Sequence, residues 1–80
     1  MGLSDLPLAS GDKHASCFER LGWTRDQKRR GRGSHILLTK TGVRATLSIP
    51  DHREVKRTII AKLITLAGIT QDDYIEHFNK

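Results

Sequence analysis

Residues 35–49 read HILLTKTGVRATLSI, two runs separated by Lys40-Thr41-Gly42. Side chains along a strand alternate between faces, so parity sorts them. Ile36 and Leu38 fall in one set with Ala45, Leu47 and Ile49 beyond the turn, and that set is wholly apolar. His35, Leu37 and Thr39 fall in the other with Arg44, Thr46 and Ser48, and that set is mostly polar. An antiparallel pair with one packed and one solvated face has this pattern, and a slip of one residue would invert it. The stretch therefore predicts strands over His35–Lys40 and Arg44–Ile49, a Gly-assisted turn between them, and a stop at Pro50. The apolar set faces helices. His35 faces open sheet, and Leu37, the apolar exception there, is a residue for a partner to cover.

Toward the N-terminus, Trp23–Lys28 reads as a further strand of poor alternation, followed by a turn punctuated by Gly31 and Gly33. Three strands joined by short turns pair as an antiparallel meander. Before them, Ser10 caps a helix with Asp12 in its first turn, and His14, Ala15, Cys17, Phe18 and Leu21 form its apolar stripe. Gly22 ends it. Residues 1–9 are expected to be a partly flexible lead-in. Toward the C-terminus, Thr58 is the expected cap of a helix whose inner face is Ile59, Ile60, Leu63, Ile64 and Ala67, ended by Gly68. Thr70 opens a short last helix, with Asp73 three residues on and Ile69 and Tyr74 spaced as a hydrophobic staple. The order α-β-β-β-α-α makes one α+β domain over residues 1–80: an antiparallel three-stranded sheet with helices on one face.

Eighty residues leave no room for a cofactor domain beside a substrate domain, so chemistry rests on a few side chains. The formal charge is +5. Its excess is concentrated between residues 25 and 44, where Arg25, Lys28, Arg29, Arg30, Arg32, Lys40 and Arg44 stand against one acid, Asp26. Such one-sided charge is the footprint of a polyanion partner, or a solubilising face; charge alone does not choose. Cys17 is the one cysteine, so no internal disulfide forms, and its place on the helical stripe makes it a core residue. No apolar run is long enough to span a membrane, and the N-terminus lacks the regions of a secretory signal, so a cytoplasmic location is expected.

His14, His35, His52 and His77 show no zinc-site spacing, and there is neither a P-loop nor a βαβ unit around the glycines. No metal and no cofactor are expected. His35 stands apart: it opens a strand, follows basic sequence and faces outward. RNA carries its own nucleophile, the 2′-hydroxyl, so one imidazole beside a phosphate held by cations is enough to begin cleavage. As an isolated residue it reads first as an ordinary surface histidine.

Gly33-Ser34-His35 resembles the Gly-Ser-His signature of the HicA, or YcfA-like, messenger-RNA interferase toxins. The likeness extends to Leu6-Pro7, Ser10-Gly11, Leu21-Gly22-Trp23, the Pro50-Asp51-His52 element, Glu54-Val55-Lys56 and Ala67-Gly68-Ile69, spanning about Leu6 to Phe78. The ordered set carries the resemblance; no one tripeptide does. It implies a fold like the double-stranded-RNA-binding domain, a toxin that cleaves messenger RNA, and a cognate HicB-like antitoxin. It places the catalytic role on His35 and matches His52 to the Pro-x-His element, as a structural or supporting residue. Two departures stand out. Arg57-Thr58 replaces a common Gly-Thr while keeping a Thr to cap the helix, and Lys28-Arg29-Arg30-Gly31-Arg32 is more basic than the usual lead-in. The resulting expectation is a metal-independent endoribonuclease with His35 as general base or acid, and with Lys28, Arg29, Arg30, Arg32, Ser34, Lys40 and Arg44 on the RNA. The rivals are a non-catalytic RNA-binding module and a protein-interaction domain for an acidic partner.

Overall fold

Helix α1 (Gly11–Arg20) begins where Ser10 accepts a hydrogen bond from the Lys13 amide at 3.2 Å. Strands β1 (Thr24–Arg25), β2 (His35–Lys40) and β3 (Val43–Pro50) follow, then α2 (Arg57–Ala67) and α3 (Gln71–Phe78). The computed structural model describes residues 3–26 and 35–80. The sheet is antiparallel in the order β1-β2-β3. The α+β arrangement like the double-stranded-RNA-binding domain is therefore observed. Of the poorly alternating first strand, Thr24 and Arg25 pair with Thr39 and Leu38, and the Asp26 amide continues the ladder to the Leu37 carbonyl at 2.8 Å. Its last two residues, and the turn through Gly31 and Gly33, lie outside the described residues.

Register settles parity. Ile36 pairs with Ile49 and Leu38 with Leu47, and Leu38, Leu47 and Ile49 are buried beneath α1 and α2. Leu37 pairs with Ser48, and His35 with Pro50. The register shifts between Leu38 and Lys40, so that Thr39 faces the three residues Arg44 to Thr46. Pro50 is tolerated as the last residue of an edge strand, where a missing amide breaks no ladder.

Caps at Ser10 and Thr70 form as the sequence predicts, Thr70 Oγ1 accepting from the Asp73 amide at 3.1 Å, and Gly68 closes α2 in a left-handed conformation at φ 76°. The Thr58 cap does not form. Lys56 is the N-cap, with no side-chain hydrogen bond, and Thr58 is an exposed residue of the first turn. The cause is tertiary: Val55 is buried with its amide on the Ala9 carbonyl at 2.9 Å, and Arg57 Nε donates to the Leu6 carbonyl at 2.7 Å. Those anchors start the helix before Thr58. They also fasten the expected lead-in, which holds a 3-10 turn at Leu3–Asp5 and contributes Leu6 to the core.

A polar pair sits inside the α1–α3 contact. His14 is fully buried, and its Nδ1 shares a 2.6 Å hydrogen bond with the Tyr74 hydroxyl. Phe18 and Phe78 lie against the same rings. His14 Nε2 is buried without a hydrogen bond of good geometry, so the neutral ring is the form this site accepts. Burial lowers the His14 pKa from 6.5 to about 4, with the Pro7 carbonyl acting weakly in the other direction. The folded value lies below the unfolded one, so the contribution is complete above pH 6.5 and is lost as pH falls toward 4. Between pH 7 and pH 5 the loss amounts to about 2 kcal/mol. Urea unfolding at the two pH values is expected to show it, and a His14→Gln variant to lack that part of the slope.

Candidate active site

His35 is the first residue of the central strand. Strand alternation sends its side chain to the face opposite the helices, the face of Leu37 and Ser48, and the residue is exposed. The apolar neighbours that set this orientation are Ile36 and Leu38, the latter fully buried. Beyond the paired Pro50, the chain turns through Asp51 and His52 toward the start of α1, where the Gly11 amide donates to the His52 carbonyl at 2.9 Å. His52 is exposed. The end of β3 bearing these residues is thus the end at which His35 lies.

The expected cations divide. Lys28, Arg29, Arg30, Arg32 and Ser34 lie outside the described residues. Lys40 and Arg44 lie at the opposite end of the hairpin from His35, five residues along β2 or about 16 Å at the usual strand rise. Lys40 Nζ donates to the Leu21 carbonyl at 3.3 Å and rests over Gly22, whereas Arg44 is exposed. Sequence proximity in a charge window did not translate into spatial proximity, because a strand carries its two ends apart. Conversely, the window stopped short of Arg53 and Lys56, exposed residues in the segment that follows Pro50-Asp51-His52. Their adjacency to His52 is the signal that would have added them.

Arg25 leaves the basic group altogether. Its guanidinium bonds Asp12 Oδ1 at 2.9 Å, Glu19 Oε1 at 3.0 Å, Ser16 Oγ at 3.1 Å and the Asp12 carbonyl at 3.2 Å. This is a tether between β1 and α1. Cys17 is buried, its Sγ donating to the Tyr74 carbonyl at 3.4 Å, and burial pushes the thiol up to about 11, so at neutral pH it is protonated and inert. Among the described residues no group of three or more His, Cys, Asp or Glu side chains is placed to hold a metal ion. No helix among them is long and apolar enough to cross a membrane.

No curated protein matches the chain. The sequence profile of a family described as the HicA toxin of bacterial toxin-antitoxin systems matches residues 11–69, from the first residue of α1 through the end of α2. That span holds all three strands, the solvent-facing His35 and the Pro50-Asp51-His52 turn, and leaves out α3. By this match and the fold that carries it, the chain belongs to the HicA toxin family.

Proposed function

We propose that the chain is a metal-independent endoribonuclease that cleaves messenger RNA, with His35 as the proton-transferring group. The observation that carries this reading is the position of one titratable imidazole: exposed, at the start of the central strand, on the uncovered sheet face, next in sequence to the most cationic segment of the chain. Neutral imidazole takes the proton from a 2′-hydroxyl; the 2′-oxygen attacks the adjacent phosphorus and the bond to the 5′-oxygen breaks. The 5′-oxygen leaves with a proton from water or a second acid. Cations of the 28–32 segment, with Arg53 and Arg44 at opposite ends of the hairpin, supply the charge that holds phosphates and offsets the extra negative charge of the transition state. His52, at the same end of β3, supports the turn that borders the site.

The same open face suits occlusion. A HicB-like antitoxin seated over His35 and Leu37 would cover the imidazole together with the half-buried leucine, and would inhibit by displacing RNA. Membership in a toxin family of toxin–antitoxin systems and the net charge of +5 support both RNA and an antitoxin as partners in the cytoplasm.

The test is the chemistry of the ends. Purified chain incubated with messenger RNA in excess chelator is expected to give fragments with 2′,3′-cyclic phosphate and 5′-hydroxyl termini. Fragments with 5′-phosphates, or cleavage that stops with the chelator, would refute this mechanism. RNA retained but never cut would leave the non-catalytic binding module as the correct account.

A further inference from the structure

On β3, one residue presents two hydrogen-bond donors that the described fold does not use. The Asp26 amide donates to the Leu37 carbonyl at 2.8 Å, so the backbone groups of Leu37 point toward β1. Leu37 and its partner Ser48 therefore form a non-hydrogen-bonded pair, and the amide and carbonyl of Ser48 point away from β2. β3 is an edge strand, and among the described residues nothing bonds that amide. The Ser48 side chain goes to the open face with Leu37 and His35, and the residue is exposed. Its hydroxyl has no hydrogen-bond partner among the described residues either.

The place of these donors links them to the candidate site. Pro50 stands opposite His35, so Ser48 lies diagonally across from His35 on the same face. Diagonal neighbours have Cβ atoms about 7–8 Å apart, a gap suited to a phosphodiester group lying between the two side chains. Farther along the same row stand Thr46 and then Arg44, near the hairpin tip. Beside an imidazole, a neutral donor has an advantage over a cation: it holds a phosphate without repelling the imidazolium that forms when the ring takes a proton.

We propose that Ser48 is a phosphate-binding residue of the ribonuclease site, its hydroxyl and edge amide donating to the non-bridging oxygens of an RNA phosphate beside the scissile one. The proposal rests on the reading of His35 given above and adds a residue that holds substrate at the cutting end of the hairpin. Arg44 grips the RNA strand from the far end, and Ser48 holds it next to the cut. The order of the two residues along β3 sets the order of their phosphates along the RNA.

The full chain, as wild type, Ser48→Ala, Ser48→Thr and Arg44→Ala, is titrated with a single-stranded RNA fragment carrying a 2′-deoxy residue at the mapped cleavage position. A matching set replaces one phosphate at a time by an uncharged methylphosphonate. Single-turnover cleavage of the all-ribose fragment and the thermal midpoint of unfolding are read alongside. Ser48→Ala is expected to bind the uncleavable fragment about 10-fold more weakly, the worth of a hydrogen bond to a charged group, with an unmoved midpoint. Its salt dependence should match wild type, since no charge is lost, whereas Arg44→Ala should reduce the slope of log affinity against log salt by about 0.7. A methylphosphonate beside the cut should weaken binding to wild type and weaken Ser48→Ala no further. For Arg44→Ala, the phosphate whose replacement is silent should lie farther from the cut. Ser48→Thr keeps the hydroxyl and should bind like wild type. Wild-type affinity in Ser48→Ala, while the wild type cleaves RNA, overturns the assignment and leaves His35 in place. A loss in Ser48→Ala that simply adds to the effect of every methylphosphonate overturns it as well. A wild type that cleaves nothing removes the ribonuclease reading and this assignment together.

Discussion

Replacing His35 by Ala is expected to lower RNA cleavage by about 10²–10⁴-fold while leaving the thermal midpoint of unfolding and RNA affinity close to wild type. The expectation of an intact fold follows from geometry. His35 is exposed at the end of β2, its side chain is outside the core, and its backbone pairing with β3 survives any substitution that keeps the amide. Removal of an exposed side chain of this kind changes stability by no more than about 0.5 kcal/mol. The loss of rate follows from chemistry: a 2′-hydroxyl is a poor nucleophile until its proton has an acceptor at hydrogen-bond distance. In cells, induction of the wild type should arrest growth with decay of messenger RNA, and induction of His35→Ala should not. Growth arrest by the alanine variant would assign the toxicity to binding instead.

The second large effect concerns a position with no functional group. Gly11 opens α1 against the end of β3, where an added Cβ would overlap the Pro50 carbonyl oxygen and lie 3.0 Å from Asp51 Cα. Both obstacles are backbone, fixed by the Pro50–His35 pairing and by the Gly11 amide bond to the His52 carbonyl, so neither can swing aside. Gly11→Ala is expected to destabilise the chain by about 3 kcal/mol or more. For a chain of this length that lowers the unfolding midpoint by about 12 °C or more. A midpoint within about 2 °C of wild type would contradict the packing described. The strain would be relieved at Pro50, the residue paired with His35, so any Gly11→Ala protein that remains folded should also cleave RNA more slowly.

Elements with a local signature were legible in the sequence. Alternation over residues 35–49 gave the faces of His35–Leu38 and Leu47–Ile49, though not the register shift that sets Thr39 against residues 44–46, and the caps at Ser10, Thr70 and Gly68 are set by side chains and glycine within a turn of the helix end. What required tertiary structure was hidden. The start of α2 is set by Val55 and Arg57 reaching back to Ala9 and Leu6, some fifty residues away, which overrode Thr58. Helical spacing groups His14 with the apolar stripe, in agreement with its burial, but its bond to Tyr74 depends on how α3 docks. In the candidate site, the proposed role of His35 rests on the Gly33-Ser34-His35 resemblance, while its outward orientation was readable from parity. The partition of the cations was not: Arg25 and Lys40 look alike in a charge window, yet one is bound to two carboxylates and the other to a helix-end carbonyl.

If RNA reaches both His35 and Arg44, as the proposed function has it, their separation along the hairpin sets the length of RNA needed. Stacked nucleotides on one strand advance about 3.4 Å each, so the roughly 16 Å between the two ends of β2 corresponds to about five of them. On the proposed ribonuclease reading, a dinucleotide bound at the His35 end would not also touch the guanidinium at the hairpin tip, so an oligonucleotide is expected to be the better substrate before any base is recognised.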